Sequence, residues 1–137
     1  MNNMSPVEIV NHMLNNDAFS QWMKVKVLLV ELGKCELSCK IHKDMLNGHN
    51  IAHGGITYSL SDSALAFAAN TYGAKCVSIE TSISHILSVQ KGDKLHISCK
   101  EVYRGKTVGI YSVKITNQSD QLVSNFKGTV SISSKKW

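Results

Sequence analysis

The spacing of apolar residues changes along the chain, and each change indicates a different element of secondary structure. Between about residues 6 and 15, apolar side chains recur at roughly helical intervals after Pro6, which suits the first turn of a short helix. From Trp22 the pattern is typical of strands, with a turn at Gly33. The segment after that turn alternates strictly and predicts a half-buried hairpin strand, whose apolar face comprises Cys35, Leu37, Cys39 and Ile41.

A long apolar segment predicts the main helix, from about residue 54 to 71. Its apolar residues keep helical spacing, and Gly73 is a natural C-terminal stop. The remaining sequence has strand character interrupted by turns. The predicted strands are joined by hairpins into an antiparallel meander and cover about residues 75–87, 94–104, 107–116 and 121–133.

These elements predict a single α+β domain over residues 1–137. One helix cannot cover two faces of a large sheet, so the economical arrangement is a curved antiparallel sheet wrapped around the one long central helix. The helix should then be apolar nearly all round, and residues 58–69 leave little polar face.

The N-terminal sequence and the cysteines are typical of a cytosolic protein. The N-terminus lacks the basic start and apolar stretch of a signal peptide, and no apolar run approaches the length of a bilayer span. We therefore expect a cytoplasmic protein with no membrane partner. The four cysteines form no CxxC pair, and cytosolic thiols are normally reduced, so we expect four free thiols and no metal.

The net charge of +5 rests on 14 lysines, scattered along the chain, against one arginine. Nucleic-acid-binding proteins usually rely on arginine and interleave aromatic residues, which make up 7% of this chain, so we expect no nucleic-acid partner. Two interpretations stay open. The lysines form a solvated basic surface, or they attract a polyanionic small molecule such as a nucleotide phosphate.

Asp62 is the polar exception in the most apolar stretch of the predicted helix. Aspartate is a poor residue for a helix interior, and a buried carboxylate shifts its pKa or finds a partner. Such a carboxylate is a candidate nucleophile or general base. The alternative is that Asp62 faces solvent or is capped by Ser59 or Ser63.

The tripeptide His53-Gly54-Gly55 lies where the predicted helix begins. A helix N-terminus presents unpaired N–H groups, and glycine lets an anion or oxyanion approach them, although a flexible helix entry explains the glycines equally. Gly54 and Asp62 are eight residues apart, or about 12 Å along one helix. If both serve one reaction, Gly54 of one chain must combine with Asp62 of another in a homo-oligomer.

The segment MLNGHNIAHGGITYSLSDSALAFAAN at residues 45–70 contains the spacing HGG-x(6)-D-x-A. It resembles the PaaI-type hotdog-fold thioesterases of the 4-hydroxybenzoyl-CoA thioesterase superfamily. The similarity continues into the GDKL turn at residues 92–95 and the Gly-Lys hairpin near residue 105, and it covers roughly residues 22–132.

The resemblance implies a hotdog fold and hydrolysis of acyl-CoA thioesters at a dimer interface, often within a homotetramer. Asp62 would act as the nucleophile or as the base that activates water. The Gly54 N–H would hold the thioester oxygen, and Asn47 would orient the carbonyl or the water. His53 would hydrogen bond near the acyl group, and Ser78 would hold water.

No cofactor is implied, because coenzyme A enters as part of the substrate. Its phosphates would meet surface lysines. The acyl group stays open between aromatic groups, such as phenylacetyl or hydroxyphenylacetyl, and medium-chain fatty acyl groups. The candidate substrate-binding residues are Gly55, Arg104, Gly105 and Lys106.

Related chains often carry a proline before the Gly-Asp turn, near Ser88 of this chain, which puts the acyl pocket in doubt more than the reaction. Two other functions stay open. A hotdog hydratase or dehydratase usually sets its catalytic histidine in a proline-rich context, whereas this chain has only Pro6. A non-catalytic acyl-CoA sensor usually adds a DNA-binding module. The histidines that we predict to be surface or structural residues are His12, His42, His85 and His96.

Overall fold

The computed structural model describes residues 3–137, so the predicted single domain of residues 1–137 extends two residues beyond the described part. The helices are α1 (Pro6–Asn15), α2 (Ala18–Trp22) and α3 (Gly54–Asn70), with a 3-10 turn at Lys43–Met45. The strands are β1 (Lys26–Glu31), β2 (Lys34–Lys40), β3 (Ala74–His85), β4 (Lys94–Arg104), β5 (Val108–Thr116) and β6 (Leu122–Lys136).

Capping side chains start the two N-terminal helices. Ser5 and Glu8 form a capping box at α1, each side chain bonding the other's backbone N–H. Asp17 caps α2 by accepting the Ser20 N–H at 2.9 Å. The prediction that strand begins at Trp22 is wrong, because Trp22 ends α2 and β1 starts at Lys26. A five-residue helix is too short for its apolar residues to reveal a period.

The predicted meander is wrong at β3. In residues 3–137 six strands form one antiparallel sheet in the order β1-β2-β4-β5-β6-β3. Instead of forming a hairpin with β4, β3 pairs with β6 at the edge of the sheet. The segment 86–93 carries the chain from that edge back to β4 beside β2.

Burial explains this strand order. The inward residues of β2 meet matching inward residues of β4, as in the pairs Cys35–Cys99 and Leu37–Ile97, all fully buried. By contrast, most of β3 is exposed, with burial concentrated at its start. A strand of that kind suits a sheet edge, whereas a central strand needs an apolar face along its whole length.

The sheet curves around α3, as predicted from the apolar helix. Leu60, Ala64, Leu65 and Ala68 of α3 are completely buried against the concave face. Gly128 of β6 permits this close packing, because a Cβ there would collide with the Leu65 side chain. The predicted α+β architecture, a curved antiparallel sheet around one long helix, is confirmed.

The cysteines are four buried free thiols. Cys35 and Cys99 face each other across β2 and β4, and burial raises the pKa of the Cys35 thiol to about 12. A thiol held protonated in this way packs as a small apolar side chain. Within residues 3–137, no helix combines the length and the apolarity that a membrane crossing requires.

Candidate active site

Asp62 lies on α3 and is half-buried. Its side chain lines a cavity of about 230 Å³ together with Ser78 and Cys76 of β3 and Val130 of β6. The structure therefore brings together Asp62 and Ser78, two of the predicted site residues. Burial raises the pKa of Asp62 above its ordinary value, and this is the larger effect. The nearby carboxylate of Asp17 raises the pKa further.

The N-terminal segment holds Asp17 close enough to Asp62 to raise the pKa of its carboxyl group. The Asp17 carboxylate accepts both the Ser20 N–H at 2.9 Å and the Ser20 hydroxyl. The Ser20 hydroxyl oxygen also lies 2.8 Å from the Ser63 hydroxyl oxygen, which ties α2 to α3. The hydroxyl of Ser63 is thereby engaged with α2, so capping of Asp62 by that hydroxyl loses its support. Sequence reasoning missed Asp17, because it lies 45 residues before Asp62.

Gly54 is the first residue of α3, as predicted. In residues 3–137 the Gly54 N–H has no hydrogen-bond acceptor. The next amide is already used, since the Gly55 N–H donates to His53 Nδ1 at 2.8 Å. A Cβ at Gly55 would lie 2.9 Å from that nitrogen, so Gly55 lets His53 fold back as the helix cap. Because His53 takes up the Gly55 N–H, the Gly54 N–H is the free donor at this helix end.

Asn47 and Gly54 line a second cavity, of about 240 Å³. The Asn47 Oδ1 accepts the His49 N–H at 2.9 Å and the Ile51 N–H at 3.4 Å. Because two backbone N–H groups occupy this oxygen, the NH2 group of Asn47 is the part of the side chain that could bind a ligand.

His85, which we predicted to be a surface or structural residue, lines the same cavity as Gly54. Its Nδ1 lies 3.2 Å from the Thr57 hydroxyl, and that hydroxyl donates to the Gly54 carbonyl at 3.2 Å. Its Nε2 lies 3.3 Å from the place that a Gly54 Cβ would occupy. Because His85 is 31 residues after Gly54 and belongs to the edge strand, no local motif indicates this neighbour.

The predicted site residues thus fall into two separate groups. Asn47 and Gly54 share one cavity, and Asp62 and Ser78 share another. The two cavities have no lining residue in common. This division agrees with the separation of about 12 Å along α3 that the helical rise gives.

The predicted coenzyme A residues lie at the turn between β4 and β5. The Arg104 guanidinium donates from Nη1 to the Ala69 carbonyl at 3.0 Å and to the Tyr111 hydroxyl at 2.9 Å, and it stacks 4.1 Å from the centre of the Tyr72 ring. Gly105 closes the turn through its N–H to Val108. The neighbouring Lys106 is exposed. Lys106 is therefore better placed than Arg104 to meet a phosphate.

Comparisons with known proteins fit this geometry. The thioesterase superfamily profile matches residues 49–124, which include α3 and both Gly54 and Asp62. The acyl-coenzyme A thioesterase PaaI of Escherichia coli strain K12 is 31% identical over 116 residues, covering 85% of this chain and 83% of that protein. The chain therefore belongs to the thioesterase superfamily, in its PaaI-type group of hotdog-fold proteins.

Two solved structures support the assignment of the fold. The structure of the E. coli PaaI protein superposes with a TM-score of 0.93 at 27% identity, covering 96% of this chain and 95% of that chain. The smu.793 protein of Streptococcus mutans UA159, solved bound to acetyl CoA, gives a TM-score of 0.80 at 26% identity and covers 82% of this chain and 91% of its own. The predicted hotdog fold and the predicted enzyme class, a thioester hydrolase, are confirmed.

Proposed function

We propose that this protein hydrolyses acyl-CoA thioesters to a free acid and coenzyme A, with Asp62 of one protomer and the Gly54 N–H of its partner acting on the same thioester. The observation that carries the proposal is the half-buried Asp62 carboxylate, which lines a cavity with Ser78 and has a raised pKa. Support for the substrate class comes from PaaI, named as an acyl-coenzyme A thioesterase, and from the acetyl CoA bound to the S. mutans protein.

The reaction needs a nucleophile and a site for the developing oxyanion. Asp62 either attacks the thioester carbonyl carbon itself or takes a proton from the water that attacks it. In both routes a C–O bond forms, the C–S bond breaks, and coenzyme A leaves as a thiolate. In the direct route the product is a mixed anhydride with Asp62, which water hydrolyses in a second step to release the acid. In the water route the acid forms at once, and the proton that Asp62 took from water passes to the thiolate. A raised pKa strengthens the carboxylate as a base, and the Ser78 hydroxyl in the same cavity offers a hydrogen bond to the water.

The Gly54 end of α3 suits the oxyanion. Its N–H has no acceptor within residues 3–137, and the partial positive charge of the helix N-terminus favours negative charge there. Asn47 lines the same cavity, and its NH2 group would be a second donor toward the carbonyl or the water. His53 caps the helix through Nδ1, which accepts the Gly55 N–H. Only the other edge of its ring, which carries Nε2, would therefore contact the acyl group.

The edge strand β3 is the surface that would join two protomers. It leaves one side unpaired at the end of the sheet, and two of its apolar residues are largely exposed, with Val77 at 68% and Ile79 at 59%. Pairing of two such edges buries these side chains and brings a second α3 toward the first. The dimer, or a tetramer made from two dimers, would thereby complete both sites.

Coenzyme A would extend from the thioester toward the turn between β4 and β5, where Gly105 shapes the turn and Lys106 offers an exposed positive charge. Aromatic acyl groups, such as phenylacetyl and hydroxyphenylacetyl, and medium-chain fatty acyl groups are the substrates to compare.

Release of free thiol from a panel of aromatic and aliphatic acyl-CoAs tests the proposal, with Asp62→Ala measured in parallel. We expect the wild type to hydrolyse at least one class and the variant to lose activity by at least about a hundredfold. Binding of CoA esters by the wild type without any thiol release would contradict the proposal and favour a binding protein.

A further inference from the structure

A third cavity, of about 460 Å³, lies at the end of the sheet opposite β3. It includes none of the predicted site residues. It is bounded by the loop after α2 and by the ends of β1, β2 and β4. Lysine side chains border the cavity on the outer face of the sheet. Cys39 and Leu95 contribute little surface to it, because their side chains point into the core and are 3% and 2% exposed. The residues that line this lysine cavity are Lys24, Lys26, Lys40 and Lys94, with Ser38, Cys39 and Leu95.

In the described part of the chain, the four lysines of the cavity have no ion-pair partners. The carboxylates next to these strands have other partners. Glu36 bonds His96 at 2.8 Å, and Asp93 accepts the Gln90 N–H at 2.8 Å. A concave site whose four lysines form no ion pair within the described chain attracts anions of high charge.

Lys24 reaches the cavity from a strained backbone position. Lys24 follows the C-cap of α2, and its N–H donates to the Gln21 carbonyl at 2.9 Å. Its φ angle is 58°, in the left-handed region where glycine is the usual residue at this position after a helix. A lysine there costs backbone energy that glycine would avoid, and what it adds is one ammonium group beside the lysine cavity.

We propose that the lysine cavity binds a polyphosphate anion, such as a nucleotide that carries two or more phosphate groups. The lysine ammonium groups would meet the phosphates, and the Ser38 hydroxyl on the same face of the sheet would donate a hydrogen bond to them. The volume is in the range of small-molecule sites, so the cavity has room for more than a single phosphate. The same chemistry occurs in the nucleotide part of coenzyme A and in a free nucleoside triphosphate. The proposal does not depend on thioester hydrolysis.

Isothermal titration calorimetry at low ionic strength, with ATP, 3′,5′-ADP and inorganic pyrophosphate as probes, tests the proposal. The informative variant is Lys24→Gly with Lys94→Gln, since glycine suits the backbone at position 24 and preserves the fold. The matched control is Lys135→Gln with Lys136→Gln, two exposed lysines near the C-terminus. Both double variants remove two positive charges from a net charge of +5.

We expect at least one nucleotide probe to bind. Its affinity should fall by about tenfold or more in the lysine-cavity variant and by less than about twofold in the control. Equal losses in the two variants would mean that binding follows net charge, and this result would overturn the proposal. Failure of all the probes to bind the wild type would overturn it as well.

Kinetics separate the two sources of the nucleotide. If the cavity holds the nucleotide part of coenzyme A, 3′,5′-ADP competes with acyl-CoA, and the lysine-cavity variant raises KM without lowering kcat. If the cavity holds a separate effector, ATP binds without competing, and the KM of the variant stays at the wild-type value. Absence of thioester hydrolysis would contradict the proposed function but leave the calorimetric result intact.

Discussion

At the scale of single residues, Asp62 is the unusual feature of α3, because a carboxylate lies in a mainly apolar helix. The carboxylate of Asp62 is half-buried and lies near the carboxylate of Asp17, and both effects raise its pKa. The ionised form therefore weakens the fold at any pH above the raised pKa. Below the ordinary pKa of 3.8, the carboxyl group is protonated in both the folded and the unfolded chain, so this cost disappears.

Replacement of Asp62 by asparagine should therefore separate stability from activity. We expect Asp62→Asn to lose at least about a hundredfold in thioester hydrolysis. Its melting temperature at pH 7 should equal or exceed that of the wild type, because a charge that destabilises the fold is removed. This gain should shrink as the pH falls toward 3.8.

Thermal melts across that pH range provide the check, with Asp120→Asn as control. Asp120 is exposed and has a φ angle of 57°, which asparagine tolerates. A melting temperature that falls in Asp62→Asn at pH 7 would show that the carboxylate stabilises the fold, contrary to this account.

Gly54 provides a second prediction at the residue scale. A Cβ at this position would lie 3.3 Å from His85 Nε2, inside the cavity that also contains Asn47. We expect Gly54→Ala to lower kcat at least about tenfold, because the methyl group obstructs the approach to the free N–H. The free energy of unfolding should change little, since the φ angle of Gly54 is not in the left-handed region.

The matched control is Gly48→Ala, because a Cβ at Gly48 meets no atom within 4 Å. Denaturant titrations and hydrolysis rates should be measured for both variants. Equal rates in the two alanine variants would argue against a role for the Gly54 N–H in catalysis.

At the scale of elements, local patterns predicted most of the fold. The strict alternation of Cys35, Leu37 and Cys39 placed β2 correctly, and the apolar run ending before Gly73 placed α3. The location of β3 was not predictable in this way. Its neighbour is decided by which strands share an apolar face across the sheet, which is a non-local property. The same limit applies to His85, which reaches Gly54 only because β3 runs beside α3.

The edge location of β3 leads to a prediction about assembly. We expect Ile79→Lys to weaken the dimer and to lower activity in proportion, because a lysine on an edge strand opposes pairing with another edge. The monomer should remain folded, since Ile79 is 59% exposed. Light scattering and hydrolysis should be measured over a range of protein concentrations.

Leu32→Lys is the control for added charge on an exposed apolar residue, because Leu32 is 60% exposed and lies in the turn between β1 and β2. An Ile79→Lys variant that keeps both the wild-type mass in solution and the wild-type rate would exclude β3 from the interface.

At the scale of the whole molecule, the chain divides its site residues between two cavities at different points along α3. The sequence predicted this division, because eight helical residues separate Gly54 from Asp62 by about 12 Å. It could not show that Asn47 shares the first cavity or that Ser78 shares the second, since both associations depend on the packed sheet. We therefore propose that two protomers together form each active site.

Hybrid dimers test that claim most directly. Co-expression with two different affinity tags allows a hybrid of one Asp62→Asn chain and one Gly54→Ala chain to be purified. Each parent dimer has a defect in both sites. In the hybrid, one site would combine the intact Gly54 of the first chain with the intact Asp62 of the second, so we expect about half of the wild-type activity.

The reciprocal hybrid, which pairs a wild-type chain with a chain carrying both substitutions, should be nearly inactive, because each of its sites would contain one defect. We expect activity to recover in the first hybrid and to be lost in the second, because each site combines residues of two chains. The opposite pattern, with no recovery in the first hybrid and half activity in the second, would place each complete site within one chain and contradict the account.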